Sequence, residues 1–369
     1  MIKVIFPYPQ PYGVFPDIYE YVEHLRRFGV DVHYIGWRPR GSRWEFLQQL
    51  ATKIREANPD LVHVFYFRGC GFLPLLVRKS NIKWIIDVRT IHVENKRLEP
   101  ERHVWLKTRV TWLESQVFDH ILVLTPTIKR YLEPSLRPIT LVPLGASAER
   151  LRVGATASER QRRREELGLP LESKIILYSG SLSPSRRIDH IISAFAKLVE
   201  RGFNDAFLLV IGGVRAADSE TEKSIIMGLR KLCSELGVHD RVWFTGWLPY
   251  TEALELYKVA DIGVAYIPKG TPYEFQPPTK LIEYMMAGLL AVGNNVPGIS
   301  EYIEHERSGI LCGNTVDELA QGMEKALQLM ERPEILDTIK QEAYRKVEKY
   351  DWGSIVRDYV LPVYRQVLE

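Results

Sequence analysis

The stretch YEFQPPTKLIEYMMAGLLAVGNNVPG, Tyr273 to Gly298, decides how the second half of this chain is built. A proline-rich turn leads through Thr279 into a short helix. Ala287-Gly288-Leu289-Leu290-Ala291-Val292 then reads as helix end, glycine stop and buried strand. Lys280 and Glu283 stand three residues apart, so an ammonium and a carboxylate share one helical face, at the end where backbone N–H groups lack partners. Such an end attracts anions, phosphate above all. The same spacing also suits a surface ion pair worth a few tenths of a kcal/mol. On spacing alone both readings stand.

Outward from this segment, strand and helix patterns alternate. Strands are expected near Lys174–Tyr178, Phe207–Ile211, Val242–Thr245, Ile262–Ala265 and Leu290–Val292. Between the first two, residues 186–201 form the clearest helix, with Ile188, Ile191, Ile192, Phe195, Leu198 and Val199 on one broad face. The first half repeats the scheme, with apolar runs at Ile2–Phe6, Val30–Ile35, Leu61–Phe67, Lys83–Ile86, His120–Leu124 and Thr140–Val142. Such alternation predicts an α/β protein with parallel, doubly wound sheets. Between the halves, Ala148–Lys174 carries the charged run 159–166, read as a connection plus a solvated helix. Two α/β halves joined by a linker imply a cleft between them, the usual place for a ligand.

Composition narrows the class. The 369 residues suffice for two cores, and 46% apolar with 26% charged residues is ordinary for a soluble globular protein. A net charge of +3 gives no reason to invoke nucleic acid. Cys70, Cys233 and Cys312 are scattered without metal-type spacing, and reduced thiols in a cytoplasmic protein are expected. No apolar run is long enough to span a bilayer.

The loop after the strand at 174–178, YSGSLSPSRRID (Tyr178–Asp189), adds a second cation. Gly180 lets the backbone approach a ligand, and Arg186, at a helix start, could grip a diphosphate bidentately. A plain βα loop with a solvated arginine fits equally well. What joins the two loops is topology: Arg186 and Lys280 both follow strands of one parallel sheet, so both lie at its carboxyl edge, where ligands bind.

These residues resemble the retaining nucleotide-sugar glycosyltransferases of family 4, the "glycosyl transferases group 1" type with the GT-B fold. The match rests on Gly180, Arg186 and Asp189, on Phe244-Thr245-Gly246, on Lys280, Glu283, Tyr284, Met285, Ala287 and Gly288, and on residues 298–312, in family order across 174–330. The resemblance implies two Rossmann-like domains facing a central cleft: residues 1–165 on the acceptor side, residues 166–349 on the donor side, and 350–369 crossing back onto the first. It implies a metal-independent transferase, without cofactor, moving a sugar from a UDP- or GDP-sugar to a glycan or lipid-linked saccharide. Arg186 and Lys280 would hold and stabilise the departing diphosphate, and Glu283 would accept hydrogen bonds from the ribose. Trp247 and Leu248 would face the base, while Pro278 and Thr279 would offer backbone groups. A GT-B sugar-nucleotide epimerase and a non-catalytic nucleotide-sugar-binding subunit are the alternatives.

Departures from the family pattern are specific. The position of the family's first glutamate, which contacts the sugar, is Phe275, with Glu274 beside it; Ser181, Arg187 and Leu144 replace a frequent Arg, Gly and Asn. In the first half, Gly13 is a single glycine where the family commonly has two near the donor. Asp87 and Arg89 resemble cleft-lining residues of sugar transferases, with His92 nearby. Residues 101–118 read as a helix with Leu106, Val110, Leu113 and Val117 inward. Trp105 and Trp112 flank that stripe among Arg102, Lys107 and Arg109, which suits either a core edge or a peripheral contact with the cytoplasmic membrane face. Arg38, Arg40, Arg43 and Trp44 form a second patch with the same two readings.

Overall fold

The computed structural model describes residues 1–37, 41–89, 101–152, 157–213, 219–271, 273–274, 276 and 278–369, and the side chains of 101–105, 152, 157 and 219 fall outside that description. The chain divides into two compact units, Met1–Gly145 with Tyr350–Glu369, and Ala146–Lys349.

The first unit holds a six-stranded sheet of β1 (Lys3–Tyr8), β2 (Asp31–Gly36), β3 (Leu61–Phe65), β4 (Lys83–Val88), β5 (His120–Val123) and β6 (Ile139–Leu141). Their order is β2-β1-β3-β4-β5-β6 and every pairing is parallel. The strands are apolar on both faces because helices cover both, as parallel sheets require. The C-terminal segment belongs to this unit. Trp352, Ile355, Val356, Val360 and Tyr364 are buried in one cluster with Val4, Phe6, Tyr21 and Phe65. A Cβ on Gly145 would stand 2.5 Å from the Trp352 ring, so only glycine admits the indole.

The second unit repeats the plan with β7 (Lys174–Ser179), β8 (Ala206–Ile211), β9 (Val242–Gly246), β10 (Ile262–Ala265), β11 (Leu290–Asn294) and β12 (Ile310–Cys312). The order is β12-β11-β10-β7-β8-β9, again all parallel. Chain direction across the sheet reverses between β7 and β10, and ligands bind at such a switch point. The helix Ile188–Glu200 buries Ile188, Ile191, Ile192, Phe195 and Leu198 on this sheet, the face expected from its periodicity. Short β12 carried too few residues to be read as a strand.

The division at Gly145/Ala146 moves the boundary expected at 165/166. The helix Ala157–Glu166 is not solvated throughout, because Arg164 is buried and donates to the carbonyls of Val259, Leu171 and Ser173 and to Asp261 Oδ2 at 2.8 Å. Arg160 holds the other oxygen of Asp261 at 3.0 Å. This helix is thereby fastened to the second unit. A bridge of carbonyls and one carboxylate gathered around a guanidinium has no short-range sequence pattern.

Candidate active site

The switch point of the second sheet gathers the residues singled out in both loops. Gly180, directly after β7, has φ +142°, and a Cβ there would lie 2.7 Å from Lys280 Nζ. The backbone of one loop and the ammonium of the other are therefore neighbours. Beside them the carboxyl ends of β7, β8 and β9 form a glycine shelf. A Cβ on Gly212 would collide with the Gly180 carbonyl at 1.8 Å, Gly212 N–H donates to the Gly246 carbonyl at 3.1 Å, and a Cβ on Gly213 would stand 2.9 Å from Trp247 Cβ. Trp247 is exposed and Leu248 half-buried at the far side of this shelf.

Two cations sit here on aromatic faces. Lys280 Nζ lies 3.9 Å from the centroid of Tyr178, and the Arg186 guanidinium 3.8 Å from that of Tyr273. Desolvation first and the Arg186 charge second hold the Lys280 ammonium well below its ordinary 10.5, with Glu283 opposing.

Lys280 and Glu283 stand on the helix Thr279–Met286, which Pro278 precedes in extended conformation. Among the described residues no side chain caps its first turn. Tyr284 ties this helix to the sheet: its hydroxyl accepts the Ser179 N–H at 2.8 Å, and its ring fills the space that a Cβ on Gly263 would need. Glu283 is buried rather than a surface partner of Lys280. Tyr250 donates to Glu283 Oε1 at 3.1 Å and Tyr257 to Oε2 at 2.9 Å. Burial first and the Glu283 carboxylate second push Tyr257 well above 10.0, so its hydroxyl stays a donor. The two tyrosines stand seven apart, two turns of one helical face, a spacing visible in the sequence and not singled out there.

The loop before Lys280 is held from inside. Gly270 N–H donates to Glu274 Oε2 at 2.6 Å and Gly298 N–H to the Glu274 carbonyl at 2.7 Å, while a Cβ on Gly298 would meet the Gln276 carbonyl at 2.4 Å. Phe275 lies outside the described residues. Arg187, where the family favours glycine, takes φ +51°, and its guanidinium grips Asp189 with contacts of 2.7–3.1 Å. Asp189 is thus engaged on its own loop.

In the first unit the expected cleft residues divide. Gly13 follows β1 with φ +83° and open space beside it. Asp87 is a correction: it is fully buried and cannot line a cleft. Arg89 Nε meets Asp87 Oδ1 at 2.8 Å, also contacts the Tyr21 hydroxyl, and lies over the rings of Tyr21, Phe65 and Trp352. Its charge holds the Asp87 carboxyl below the ordinary carboxylate range, against the burial that pushes the other way. His63 completes this core network through Tyr364, Nδ1 to hydroxyl 2.7 Å. His92 lies outside the described residues. Trp112 is half-buried, its indole N–H donating to the Pro134 carbonyl at 2.9 Å, and the Trp105 side chain is not described.

Among the described residues no group of three His, Cys, Asp or Glu side chains could hold a metal ion, and no helix is long and apolar enough to cross a membrane.

Comparison with known proteins decides the family. The model of glycosyl transferases group 1 matches residues 159–345, just over half the chain, and a glycosyl transferase 4-like domain matches residues 7–145. The chain belongs to glycosyl transferases group 1. An uncharacterized glycosyltransferase of Methanocaldococcus jannaschii is 31% identical over 209 residues, 56% of this chain and 48% of that one. A D-inositol 3-phosphate glycosyltransferase of Corynebacterium urealyticum is 25% identical over 84% of this chain and 72% of its own. The chain spans about half the length of the first curated relatives it matches, 48% for each of two. Among solved structures, sucrose-phosphate synthase from Thermosynechococcus elongatus superposes with TM-score 0.76 at 18% identity over 99% of both chains. Anabaena HepE in complex with UDP and glucose does so with TM-score 0.74 at 15% identity, over 99% of this chain and 100% of that one. These likenesses fix the α/β GT-B fold for this group 1 chain.

Proposed function

We propose that the protein is a retaining, metal-independent glycosyltransferase that uses a UDP- or GDP-sugar and delivers the sugar to a hydroxyl of a glycan or lipid-linked saccharide. One observation carries this reading. Lys280 stands over the Tyr178 ring beside the backbone of Gly180, and Arg186, from the loop that Gly180 opens, stands over Tyr273 of the loop before Lys280, so two cations from two loops meet at one sheet edge where an anionic group would neutralise both. A diphosphate supplies that charge, and it carries most when the bond from sugar to phosphate breaks.

In this account Lys280 and Arg186 neutralise the leaving diphosphate, the task a divalent cation performs in other sites. Glu283, steadied by Tyr250 and Tyr257, accepts hydrogen bonds from the ribose hydroxyls through its remaining lone pairs. Trp247 and Leu248 face the base across the glycine shelf, and the Pro278–Thr279 turn offers backbone groups to phosphate or sugar. The acceptor hydroxyl attacks C1 from the side the diphosphate leaves, and its proton passes to a leaving phosphate oxygen. Atoms and charge then balance without a covalent enzyme intermediate. The Anabaena complex with UDP and a relative named as a GDP-mannose-dependent mannosyltransferase support the donor class, though not one base.

A thermal-shift screen over nucleoside diphosphates and their sugars, followed by product analysis, tests the reading. One nucleotide class should raise the melting temperature, with the α-anomeric configuration kept in the product of an α-linked donor. Inversion at C1, or epimerised donor released with no acceptor present, would overturn it.

A further inference from the structure

Asn294, the last residue of β11, buries its amide completely, and a buried amide costs stability unless its hydrogen bonds are made. Three of the four it can make are present. Oδ1 accepts the Ile267 N–H at 2.8 Å, and Nδ2 donates to the Ile267 carbonyl and to Asn314 Oδ1, each at 2.7 Å. The backbone register of β10 with β11 ends at Ala265 opposite Gly293. The Asn294 amide therefore adds one more rung beyond the last backbone pair, with a side chain in place of a strand.

That rung fixes where the chain leaves the sheet. Pro268 follows, cannot donate to a ladder, and starts the loop that leads to Lys280. The segment after β11 also holds this loop further on. Gly298 N–H donates to the Glu274 carbonyl, and the Gln276 backbone packs where a Cβ on Gly298 would stand. Between the two holds lies Tyr273, the ring on which the Arg186 guanidinium rests at 3.8 Å.

A second branch reaches Arg186 from its own loop. Tyr266, the residue before Ile267, is buried, and its hydroxyl donates to the Asn314 carbonyl at 3.0 Å. A hydroxyl has one proton, so its 2.9 Å contact with His190 Nδ1 is completed by an N–H on that nitrogen. His190 lies in the first turn of the helix Ile188–Glu200, just after Arg186. Asn314, after β12, joins both branches, one through its side chain and one through its carbonyl.

We infer that Asn294 and Tyr266 are positioning residues that set Arg186 against the leaving diphosphate. Asn294 fixes the loop that carries Tyr273, and Tyr266 fixes the helix start that follows Arg186. This role rests on the sugar-transfer reading of that site. In it neither residue touches the donor. Their effect passes through the guanidinium, which binds a phosphate oxygen strongly only when held in hydrogen-bond geometry.

A double-mutant cycle on the full chain supplies the test, read by calorimetric titration with UDP and with GDP, and with uridine and guanosine as controls. Tyr266→Phe should weaken binding of the diphosphate that the parent prefers by roughly fivefold, the scale of one hydrogen bond. Asn294→Ala should weaken it by about tenfold or more, because both backbone groups of Ile267 lose their partner. Nucleoside affinity should stay unchanged in both. In an Arg186→Ala background each substitution should cost less than about twofold, since the group it positions is gone. Losses of equal size in both backgrounds, losses shared by the nucleosides, or unchanged diphosphate affinity in folded Tyr266→Phe would overturn the inference and leave the donor reading standing. A parent that bound neither UDP nor GDP would overturn the donor reading, and the positioning role with it. Where Asn294→Ala fails to melt cooperatively, Tyr266→Phe, which keeps its ring, decides.

Discussion

The Tyr257 hydroxyl donates to Glu283 Oε2 at 2.9 Å inside the second unit, so the carboxylate assigned to the ribose is oriented by a buried phenol. Tyr257→Phe keeps the ring and removes the donor. Donor affinity should fall roughly tenfold, the scale of a hydrogen bond to a charged group, with kcat little changed at saturating donor. Calorimetric titration with the donor from the thermal-shift screen reads the first effect and steady-state kinetics the second.

Donor affinity should also depend on alkaline pH. Lys280 has a folded value below its ordinary 10.5, so between that lowered value and 10.5 the unfolded chain holds more protons. Stability therefore rises with pH across this window. Donor affinity does the reverse, because a bound diphosphate favours the ammonium. Titrations in buffers of different ionisation heat should show proton uptake on donor binding in that window, and Lys280→Arg should abolish it.

Two positions of positive φ, Gly180 and Arg187, make opposite predictions. Gly180→Ala places a methyl against Lys280 at a φ of +142°, so donor affinity should drop by about tenfold or more, while the fold survives at a cost of about 1–2 kcal/mol. Arg187→Gly relieves a left-handed arginine at φ +51° and loses only an exposed ion pair. Its stability should stay within about 1 kcal/mol of the parent, with donor affinity unchanged. Urea unfolding and titration separate the two.

Much of this was legible in the sequence, and the misses have physical causes. The apolar runs located eleven of the strands because buried parallel strands are continuous in Val, Ile and Leu. Gly180 and Arg186 were found on the loop after a strand and Lys280 and Glu283 on a helix start, and topology alone pointed them to one sheet edge. Asp87 and Arg89 misled because a charged pair after a strand looks the same in sequence whether it faces solvent or a core of Tyr21, Phe65 and Trp352. That enclosure needs the C-terminal segment, more than two hundred residues away. The stripe at Leu106, Val110, Leu113 and Val117 divides for a related reason: the two valines are half-buried and the two leucines exposed, because periodicity locates an apolar face without saying how far protein covers it.

The buried network of the first unit has its own test. Asp87→Asn leaves the largely buried Arg89 charge with only Asp17, 3.9 Å away, so the unit should lose about 3 kcal/mol in denaturant unfolding. Donor affinity, set in the other unit, should not change. A large loss of affinity with unaltered stability would return Asp87 to the site.

The account rests on Lys280 and Arg186 as the diphosphate grip, and titration of a nucleoside diphosphate against Lys280→Ala and Arg186→Ala tests it most directly. Each variant should bind about ten- to a hundredfold more weakly than the parent, the scale of a lost charge-assisted hydrogen bond, and the matching nucleoside without phosphates should bind all three proteins alike. Diphosphate affinity within twofold of the parent in both variants would contradict the assignment.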